Sequence, residues 1–213
     1  MPIRIRQHVN PLARKFQTPI PIPDWQKIYQ NSDCPTHLDI GCARGRFLLA
    51  MAEANPEVNY LGIEIREQLV ESANQERDRL GMTNLHYLFG NMNSSAAVLL
   101  ESLPVNSLKT ISVQFPDPWF KKKHNKRRVV QPDLVKILVD YLADGGEVFL
   151  QSDIQEVAIE MRDRFADDAR LIRQHEAEWL AVNPLPVATE REQYVLNQDL
   201  PVYRVLFQKS VAG

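Results

Sequence analysis

The segment that begins at Gln114 places one carboxylate directly before a cluster of cations. It reads "QFPDPWFKKKHNKRRVV", with Asp117 between Pro116 and Pro118. Proline fixes its own φ and biases the preceding residue toward extended backbone, so we expect Asp117 to be held rigidly. The cations that follow are Lys121, Lys122, Lys123, Lys126, Arg127 and Arg128. Because such clusters bind phosphates, the segment predicts a reacting carboxylate beside a nucleic-acid backbone.

The cations are concentrated in two parts of a chain that is slightly acidic as a whole. Its 213 residues carry a formal net charge of −2, and 44% of them are hydrophobic. The first 23 residues contain four cations and no acid, at Arg4, Arg6, Arg14 and Lys15. Such a separation of charge can give an acidic protein a basic face, and a merely solvated charged surface is the simpler alternative.

The length and composition are those of one ordinary globular domain. No apolar run has the length of a membrane-spanning helix, and the N-terminus lacks the apolar core of a signal peptide, so we expect a cytoplasmic protein. The two cysteines, Cys34 and Cys42, are too few for a disulfide scaffold, and no Cys/His set has the spacing of a zinc site. We therefore expect reduced thiols and no metal.

Short apolar segments alternate with amphipathic segments from Thr36 onward. Five of them have the length and composition of strands: "THLDIG", "NYLGIE", "NLHYLFGN", "LKTISVQF" and "EVFLQS". A helical pattern follows each one. Because strands that alternate with helices form parallel sheets covered on both faces, we predict an α/β, doubly wound, mostly parallel sheet. No helix follows the last apolar segment, "PVYRVLFQK", so this strand is predicted to return antiparallel at or near the sheet edge.

Three further features concern the segments outside this alternation. Six prolines among the first 35 residues indicate an arm, residues 1–35, rather than a folded unit, mobile until something binds it. Ser94 or Ser95 is expected to cap the helix that follows the third strand. The segments "LIRQHEAEWL" and "QYVLNQDL" are interpreted as strand or loop.

The turn after the first strand, "LDIGCARGRF", lies where a doubly wound sheet binds its ligand. Gly41 and Gly45 allow a tight turn and a close approach of the backbone to a ligand. A dinucleotide fingerprint needs glycine at the positions of Ala43 and Arg46, and a P-loop needs a Gly-Lys-Ser/Thr sequence that does not follow here. The turn therefore favours neither NAD or FAD nor a nucleoside triphosphate.

Polar residues follow three successive strands, and together they predict a particular cofactor. Glu64 ends the second strand, where its carboxylate could accept hydrogen bonds from ribose hydroxyls. Asn91 follows the third strand, where its amide could bind an adenine edge. Asp39 ends the first strand beside Gly41, and an acid there suits a cofactor with positive charge. S-adenosylmethionine meets these requirements, because it has a ribose, an adenine and positive charge on its sulfonium and ammonium groups.

The motifs quoted so far resemble those of a known family. The layout of "LDIGCARGRFLLAMA", "YLGIEI" and "GNMNS" resembles a class I S-adenosylmethionine-dependent methyltransferase, and "FPDPWFKKKHNKRR" is similar to the signature of the bacterial tRNA (guanine-N7)-methyltransferases. Further matches are "RQHVNPL", "LQSD" and "TEREQYVLNQDLPVYRVLFQK". The resemblance implies a seven-stranded Rossmann-like domain over residues 36–213. It also implies methylation of guanine 46 in the variable loop of tRNA, without a metal.

The resemblance also implies roles for individual residues. It assigns Asp39, Gly41, Glu64, Asn91 and Asp117 to the cofactor, and it assigns Lys121, Asp153, Thr189, Glu190, Arg191 and Glu192 to the tRNA substrate. The other cations after Lys121 are expected to bind the RNA backbone. Ala43 replaces a glycine of the family pattern, which is acceptable only if its φ is negative.

The reaction that this resemblance implies requires the protein mainly to align the two reactants and to stabilise the charge that develops. Guanine N7 carries a lone pair and no proton, so no general base is required, and alignment with the sulfonium methyl supplies most of the catalysis. The purine gains positive charge, which the carboxylate of Asp117 would stabilise, and Asp117 could also select guanine by hydrogen bonding. The alternatives are a methyltransferase of the same fold acting on another RNA or a small molecule, or a non-catalytic RNA-binding protein.

Overall fold

The computed structural model describes residues 9–211 and contains one seven-stranded sheet within that range. The strands are β1 (Thr36–Ile40), β2 (Asn59–Glu64), β3 (Leu85–Phe89), β4 (Leu108–Gln114), β5 (Glu147–Ser152), β6 (Leu171–Arg173) and β7 (Tyr203–Lys209). The helices are α1 (Trp25–Ile28), α2 (Arg46–Ala54), α3 (Glu67–Arg79), α4 (Met92–Glu101), α5 (Pro132–Tyr141), α6 (Gln155–Ala166) and α7 (Glu190–Leu196). Two 3-10 helices cover Arg14–Phe16 and Lys122–Arg127.

The strand order in the sheet is β3-β2-β1-β4-β5-β7-β6. Strand β1 pairs in parallel with β2 on one side and with β4 on the other, whereas β7 is antiparallel to both β5 and β6. The predicted doubly wound, mostly parallel sheet with an antiparallel last strand is therefore confirmed. Because the chain leaves β1 in one direction and returns on its other side, the sheet has a switch point at the carboxyl ends of β1 and β4.

Helices cover both faces of the sheet, as the alternation of strands and helices predicts. On one face α2 and α3 pack on β1, β2 and β3, with Leu48, Tyr60 and Tyr87 in the apolar cluster. On the other face α4, α5 and α6 enclose a larger cluster around Leu38 and Ile111. Strand β1 is buried along its whole length, so its polar residues must find partners inside the protein.

Two predicted helix and strand features are wrong. Helix α4 begins at Met92, and its cap is Asn91, whose side chain accepts a hydrogen bond from the Asn93 amide at 3.1 Å. Ser94 and Ser95 therefore lie inside the first turn instead of capping it. Helix α7 occupies part of a segment that was interpreted as strand or loop, and Thr189 caps it by accepting from the Glu192 amide at 3.1 Å.

The described part of the predicted arm is a packed segment, so the interpretation of residues 9–35 as an unfolded arm is wrong. Phe16, Ile20, Trp25 and Tyr29 are all buried. The indole of Trp25 donates to Ser102 Oγ at 3.0 Å, and the ring of Trp25 stacks on that of Tyr29. These contacts fix the chain before β1 against the larger cluster. Arg4 and Arg6, which were predicted to contribute to a basic face, lie outside the described residues.

A buried ion pair joins α7 to the antiparallel edge of the sheet. The Arg204 guanidinium on β7 donates to the Glu192 carboxylate at 2.7 and 3.1 Å. Gln151 and Asn183 donate to the other carboxylate oxygen at 3.1 and 2.7 Å. The side chains of Glu192 and Arg204 are only 1% and 6% exposed, so each charge depends on the other for its solvation.

We predict that Glu192→Ala lowers the free energy of unfolding by about 3–5 kcal/mol, because it leaves a buried guanidinium without its counterion. Glu190→Ala on the same helix is the matched control. Its ion pair with Arg46 is exposed, so less than about 1 kcal/mol is expected. Denaturant unfolding measures both values. Equal effects of the two substitutions would contradict the buried pair as the element that holds α7.

Candidate active site at the carboxyl edge of the sheet

Two adjoining cavities open at the carboxyl ends of β1 to β4. The smaller, of about 130 Å³, is lined by Gly41, Glu64, Asn91 and Asp117 among others. The larger has about 660 Å³, and its lining includes Asp39, Gly41, Asp117, Asp153, Thr189, Glu190 and Arg191. Gly41 and Asp117 therefore line both cavities. The structure brings together the residues that the sequence placed on successive strand ends, while Lys121 lies exposed beside the cavities.

The turn after β1 is left-handed at three positions. Gly41, Ala43 and Gly45 have φ values of +88°, +50° and +73°. The condition set for Ala43, a negative φ, is not met, and a hydrogen bond from its amide to Glu64 Oε2 at 3.0 Å helps to hold the conformation. An added Cβ on Gly41 would meet no atom within 4 Å, because it would point into open space at the cavity floor. The absence of a side chain there leaves room for a ligand.

Asp39 is a buried carboxylate that is satisfied by neighbouring strand residues. It accepts from Ser112 Oγ at 2.6 Å and from Gln114 Nε2 at 3.3 Å. Burial, with a smaller contribution from the nearby Glu64 carboxylate, raises its pKa to about 6. Since Ser112 donates its hydroxyl proton to Asp39, the contact from His37 Nε2 at 2.8 Å is a donation to Ser112. Burial lowers the pKa of His37 to about 3, so this ring is neutral.

Glu64 is almost fully buried and holds four hydrogen bonds from the protein. Besides the Ala43 amide, its donors are the amide, Nε and Nη2 of Arg66, at 2.9–3.0 Å. Arg66 lines both cavities. A carboxylate offers about four lone-pair positions, so a ligand hydroxyl can bind Glu64 only by sharing or replacing a donor of Arg66. Sequence reasoning missed Arg66, although a cation two residues after the strand-end acid was a visible signal.

The segment around Asp117 is held in an uncommon backbone conformation. Phe115 and Trp119 have φ values of +49° and +42°. The expectation of extended backbone before Pro116 is therefore wrong for Phe115. The Phe115 amide donates to the Gln151 carbonyl at 2.8 Å, and the Pro118 carbonyl accepts from Arg128 Nε at 2.8 Å. Non-glycine residues in this region cost about 1–3 kcal/mol each and cluster at functional sites.

The cations after Asp117 have two different structural roles. Lys121, Lys122, Lys123 and Lys126 are exposed, and the Arg127 guanidinium lies 4.9 Å from the centre of the Trp119 ring. In contrast, the Arg128 side chain is 5% exposed and forms ion pairs with Glu156, at 2.8 Å, and with Glu160. The prediction that Arg128 binds the RNA backbone is therefore wrong, because its guanidinium is buried among internal partners. Arg14 and Lys15 are exposed, as expected for a basic surface.

The predicted substrate residues form one side of the larger cavity, with the exceptions of Lys121 and Glu192. Asp153 forms an ion pair with Arg191, and Glu190 forms one with Arg46. These pairs connect α7 to the loop after β5 and to α2. Glu192 lines neither cavity, because its carboxylate is buried against Arg204, and the prediction of direct substrate contact by this side chain is wrong. Its place is beneath the cavity, where it holds the segment in position.

Residues 9–211 contain neither a candidate metal site nor a candidate membrane-spanning helix. No group of three or more His, Cys, Asp or Glu side chains in this range has a geometry that could hold a metal ion. Within the same residues, no helix combines the length and apolar character that a membrane crossing requires. Cys34 and Cys42 are both free, and burial raises the pKa of the Cys42 thiol.

The fold and the acidic site at the switch point define a class I methyltransferase. A family model described as "Putative methyltransferase" matches residues 33–205. In fold the chain is similar to a crystal structure of a SAM-dependent methyltransferase from Aquifex aeolicus, with a TM-score of 0.54 and 14% identity over 87% of this chain and 89% of that one. The curated relatives are far more similar in sequence.

Two relatives match nearly the whole chain. The tRNA (guanine-N(7)-)-methyltransferase of Microcystis aeruginosa is 56% identical over 206 residues, which cover 97% of this chain and 98% of that protein. The enzyme of the same name from Synechococcus elongatus is 58% identical over 210 residues, or 99% and 98% of the two chains. The chain belongs to the tRNA (guanine-N7-)-methyltransferase family.

We predict that Asp39→Asn stabilises the fold in a pH-dependent way. A carboxyl group whose pKa is about 6 when folded and 3.8 when unfolded destabilises the folded state by up to about 3 kcal/mol above pH 6. The unfolded chain releases its proton first, so this cost appears as the pH rises from about 4 to about 6. Asp39→Asn should therefore raise the free energy of unfolding at pH 7.5 and have little effect near pH 4.

Denaturant unfolding at several pH values measures this difference. The control is Asp33→Asn, since Asp33 is exposed and a small, pH-independent change is expected there. A gain from Asp39→Asn that is the same at pH 4 and pH 7.5 would show that ionisation of Asp39 is not its cause.

Proposed function

We propose that the protein transfers the methyl group of S-adenosylmethionine to N7 of guanine in tRNA, at position 46 of the variable loop. One observation carries the proposal: the chain matches its tRNA (guanine-N(7)-)-methyltransferase relatives over nearly its full length. The cavities at the switch point support it, because acidic and small residues from four successive strand ends meet there. We place the reaction in the cytoplasm, in a domain of residues 36–213 on which residues 9–35 pack.

The residues that line the cavities fit this cofactor. Gly41 leaves open space at the floor, and Asp39 and Glu64 give the surroundings a negative charge that suits a sulfonium and an ammonium group. Glu64 would accept from the ribose hydroxyls once Arg66 releases one of its contacts. Asn91 has one amide hydrogen engaged with the Pro11 carbonyl at 3.2 Å, and its second hydrogen would bind the nucleobase. When bound, the cofactor supplies an electrophilic methyl group.

The reaction asks the protein to position the guanine and to stabilise its new charge. N7 has a lone pair and no proton, so the side chains need not remove one. Asp117 lines both cavities and so lies between the cofactor side and the open side. Its carboxylate would stabilise the positive charge that develops on the purine. The paired side chains Asp153 and Arg191, with Thr189 and Glu190, would hold the nucleotide on the open side.

The exposed cations would hold the RNA backbone around the reacting base. The surface consists of the exposed side chains of Lys121, Lys122, Lys123 and Lys126 and the half-buried Arg127, with Arg14 and Lys15 as further candidates. Phosphate contacts of this kind provide affinity without sequence readout and fix the register of the bound RNA. Selection of the guanine would then depend on the cavity.

Incubation of the protein with unmodified tRNA and methyl-labelled S-adenosylmethionine, followed by mapping of the labelled base, tests the proposed function. We expect label at N7 of guanine 46 and none in an unfolded transcript. Label at another atom or base, or on small molecules only, would favour a methyltransferase with another substrate. Saturable tRNA binding without any transfer would indicate a non-catalytic RNA-binding protein.

We predict that Asp117→Asn lowers kcat by about 10²–10³-fold, as the removal of a group that stabilises transition-state charge does in other enzymes. The amide keeps the size of the side chain, so the dissociation constants of cofactor and tRNA should change little. Single-turnover kinetics and equilibrium binding measure the two effects separately. A raised KM with unchanged kcat would instead make Asp117 a base-recognition residue, and near-normal turnover would exclude both roles.

We predict that each exposed lysine contributes to the salt dependence of tRNA binding. The plot of log affinity against log salt concentration should lose about 0.7–0.9 of its slope in Lys122→Ala, with no change in stability. Arg128→Ala is the contrasting variant, because it should lower the free energy of unfolding by about 1–3 kcal/mol. A flat salt response of the unaltered protein would contradict the phosphate-binding surface.

A further inference from the structure

Residues 9–20, the N-terminal strap, cross the carboxyl end of β3 and complete the smaller cavity. Val9 and Pro11 line this cavity together with Glu64 and Asn91. The strap therefore reaches the same space as two residues from the ends of β2 and β3. The positive charge and the predicted mobility of this part of the chain do not explain why it lies beside these polar groups.

The strap is bound to the start of α4 by three hydrogen bonds to its backbone. Asn91 Nδ2 donates to the Pro11 carbonyl at 3.2 Å, and Ser94 Oγ donates to the Phe16 carbonyl at 3.0 Å. The Ile20 amide donates to Ser95 Oγ at 3.1 Å. Three polar residues of one helix turn thus fix the path of the strap from Pro11 to Ile20. Asn91 belongs to this set and to the lining of the cavity.

Apolar contacts seal the same junction. Phe16 and Ile20 are each 4% exposed, and the Phe16 ring meets Phe89 edge to face at 6.3 Å between centroids. An added Cβ on Gly90 would lie 2.2 Å from Ile20 Cγ1 and 2.7 Å from its Cδ1. The φ of Gly90 is outside the left-handed range, so its backbone accepts other residues. A side chain is excluded at Gly90 because Ile20 occupies the space.

We propose that the strap is part of the cofactor-binding site and that its packing against Gly90 and α4 determines the affinity for the nucleobase end of the cofactor. This inference rests on the proposed function. Val9 and Pro11 present the strap to the cavity beside Asn91, the residue assigned to the nucleobase, so a bound purine is enclosed between them. Neither Val9 nor Pro11 lines the larger cavity, where Asp39 lies. Its contribution is therefore the same for S-adenosylmethionine and S-adenosylhomocysteine, which share the nucleobase and differ in charge at sulfur.

Equilibrium binding of both compounds to a small set of variants tests the proposal. Gly90→Ala should displace Ile20 and weaken both affinities by about tenfold, the effect of exposing a modest apolar contact area. Adding Ile20→Ala to Gly90→Ala removes the two clashing carbons, and affinity should return to within about threefold of the unaltered protein. If the new methyl group blocked the cofactor directly, the double variant would remain as weak as Gly90→Ala, and the proposal would be overturned.

A second substitution weakens the contact between the strap and α4 without changing a residue that lines either cavity. Ser95 is 1% exposed and lines neither cavity, and Ser95→Ala removes the acceptor of the Ile20 amide. It should weaken both compounds about threefold. Ile22→Ala, at a 42% exposed position just beyond the strap, is the matched control and should leave both affinities unchanged.

The outcomes separate this inference from the proposed function. If Gly90→Ala fails to fold, as thermal unfolding would show, the result for Ser95→Ala decides. Unchanged binding in both Gly90→Ala and Ser95→Ala would overturn the role of the strap while leaving methyl transfer intact. A loss confined to S-adenosylmethionine would also overturn it, because that pattern belongs to the charged end of the site. Failure of the unaltered protein to bind either compound would instead contradict the proposed function.

Discussion

The parallel pairing of β1 with β2 on one side and β4 on the other is the constraint on which the site depends. It brings the ends of four strands to one edge and opens a gap where helices α2 and α5, which follow β1 and β4, leave toward opposite faces. Residues up to 78 positions apart in the chain, from Asp39 to Asp117, thereby line adjoining cavities. No local feature of any one segment could assemble them.

This arrangement brings together two buried carboxylates, Asp39 and Glu64. Hydrogen bonds from surrounding residues offset the free-energy cost of burying each of them. Asp39 relies on neutral donors, so its pKa remains raised, whereas Glu64 holds a guanidinium and two backbone amides. Charge-assisted hydrogen bonds stabilise an ionised carboxylate more than neutral ones do. The negative character of the edge is therefore strongest where neutral donors leave it least compensated, near Asp39 and Gly41, which is where a cationic ligand group gains most.

Periodicity predicted the sheet well because it reports burial, which is complete in β1 and β2 and nearly complete in β5. It failed for α7, whose seven residues are too few for a helical pattern and whose buried residues are one acid, Glu192, and one apolar residue, Val195. The sequence alone also did not separate Arg128 from the five cations before it. The two acids that pair with Arg128 lie on α6, 28 and 32 residues later in the chain. Strand-end acids were predictable from their position. The left-handed φ of Ala43 and Phe115 was not, because tertiary hydrogen bonds hold these conformations.

The buried position of Arg128 changes how the cation cluster and Asp117 are related. Its Nε donates to the Pro118 carbonyl, one residue after Asp117, while its other nitrogens bind the two acids of α6. The 3-10 helix Lys122–Arg127 lies in the chain between these two anchored points, so the exposed lysines stand on a segment that is fixed at both ends. A surface that binds RNA through this segment is thus connected by fixed backbone to Asp117 at the cavity. The shared cation, rather than the short spacing in sequence alone, is what joins the phosphate-binding surface to the place of reaction.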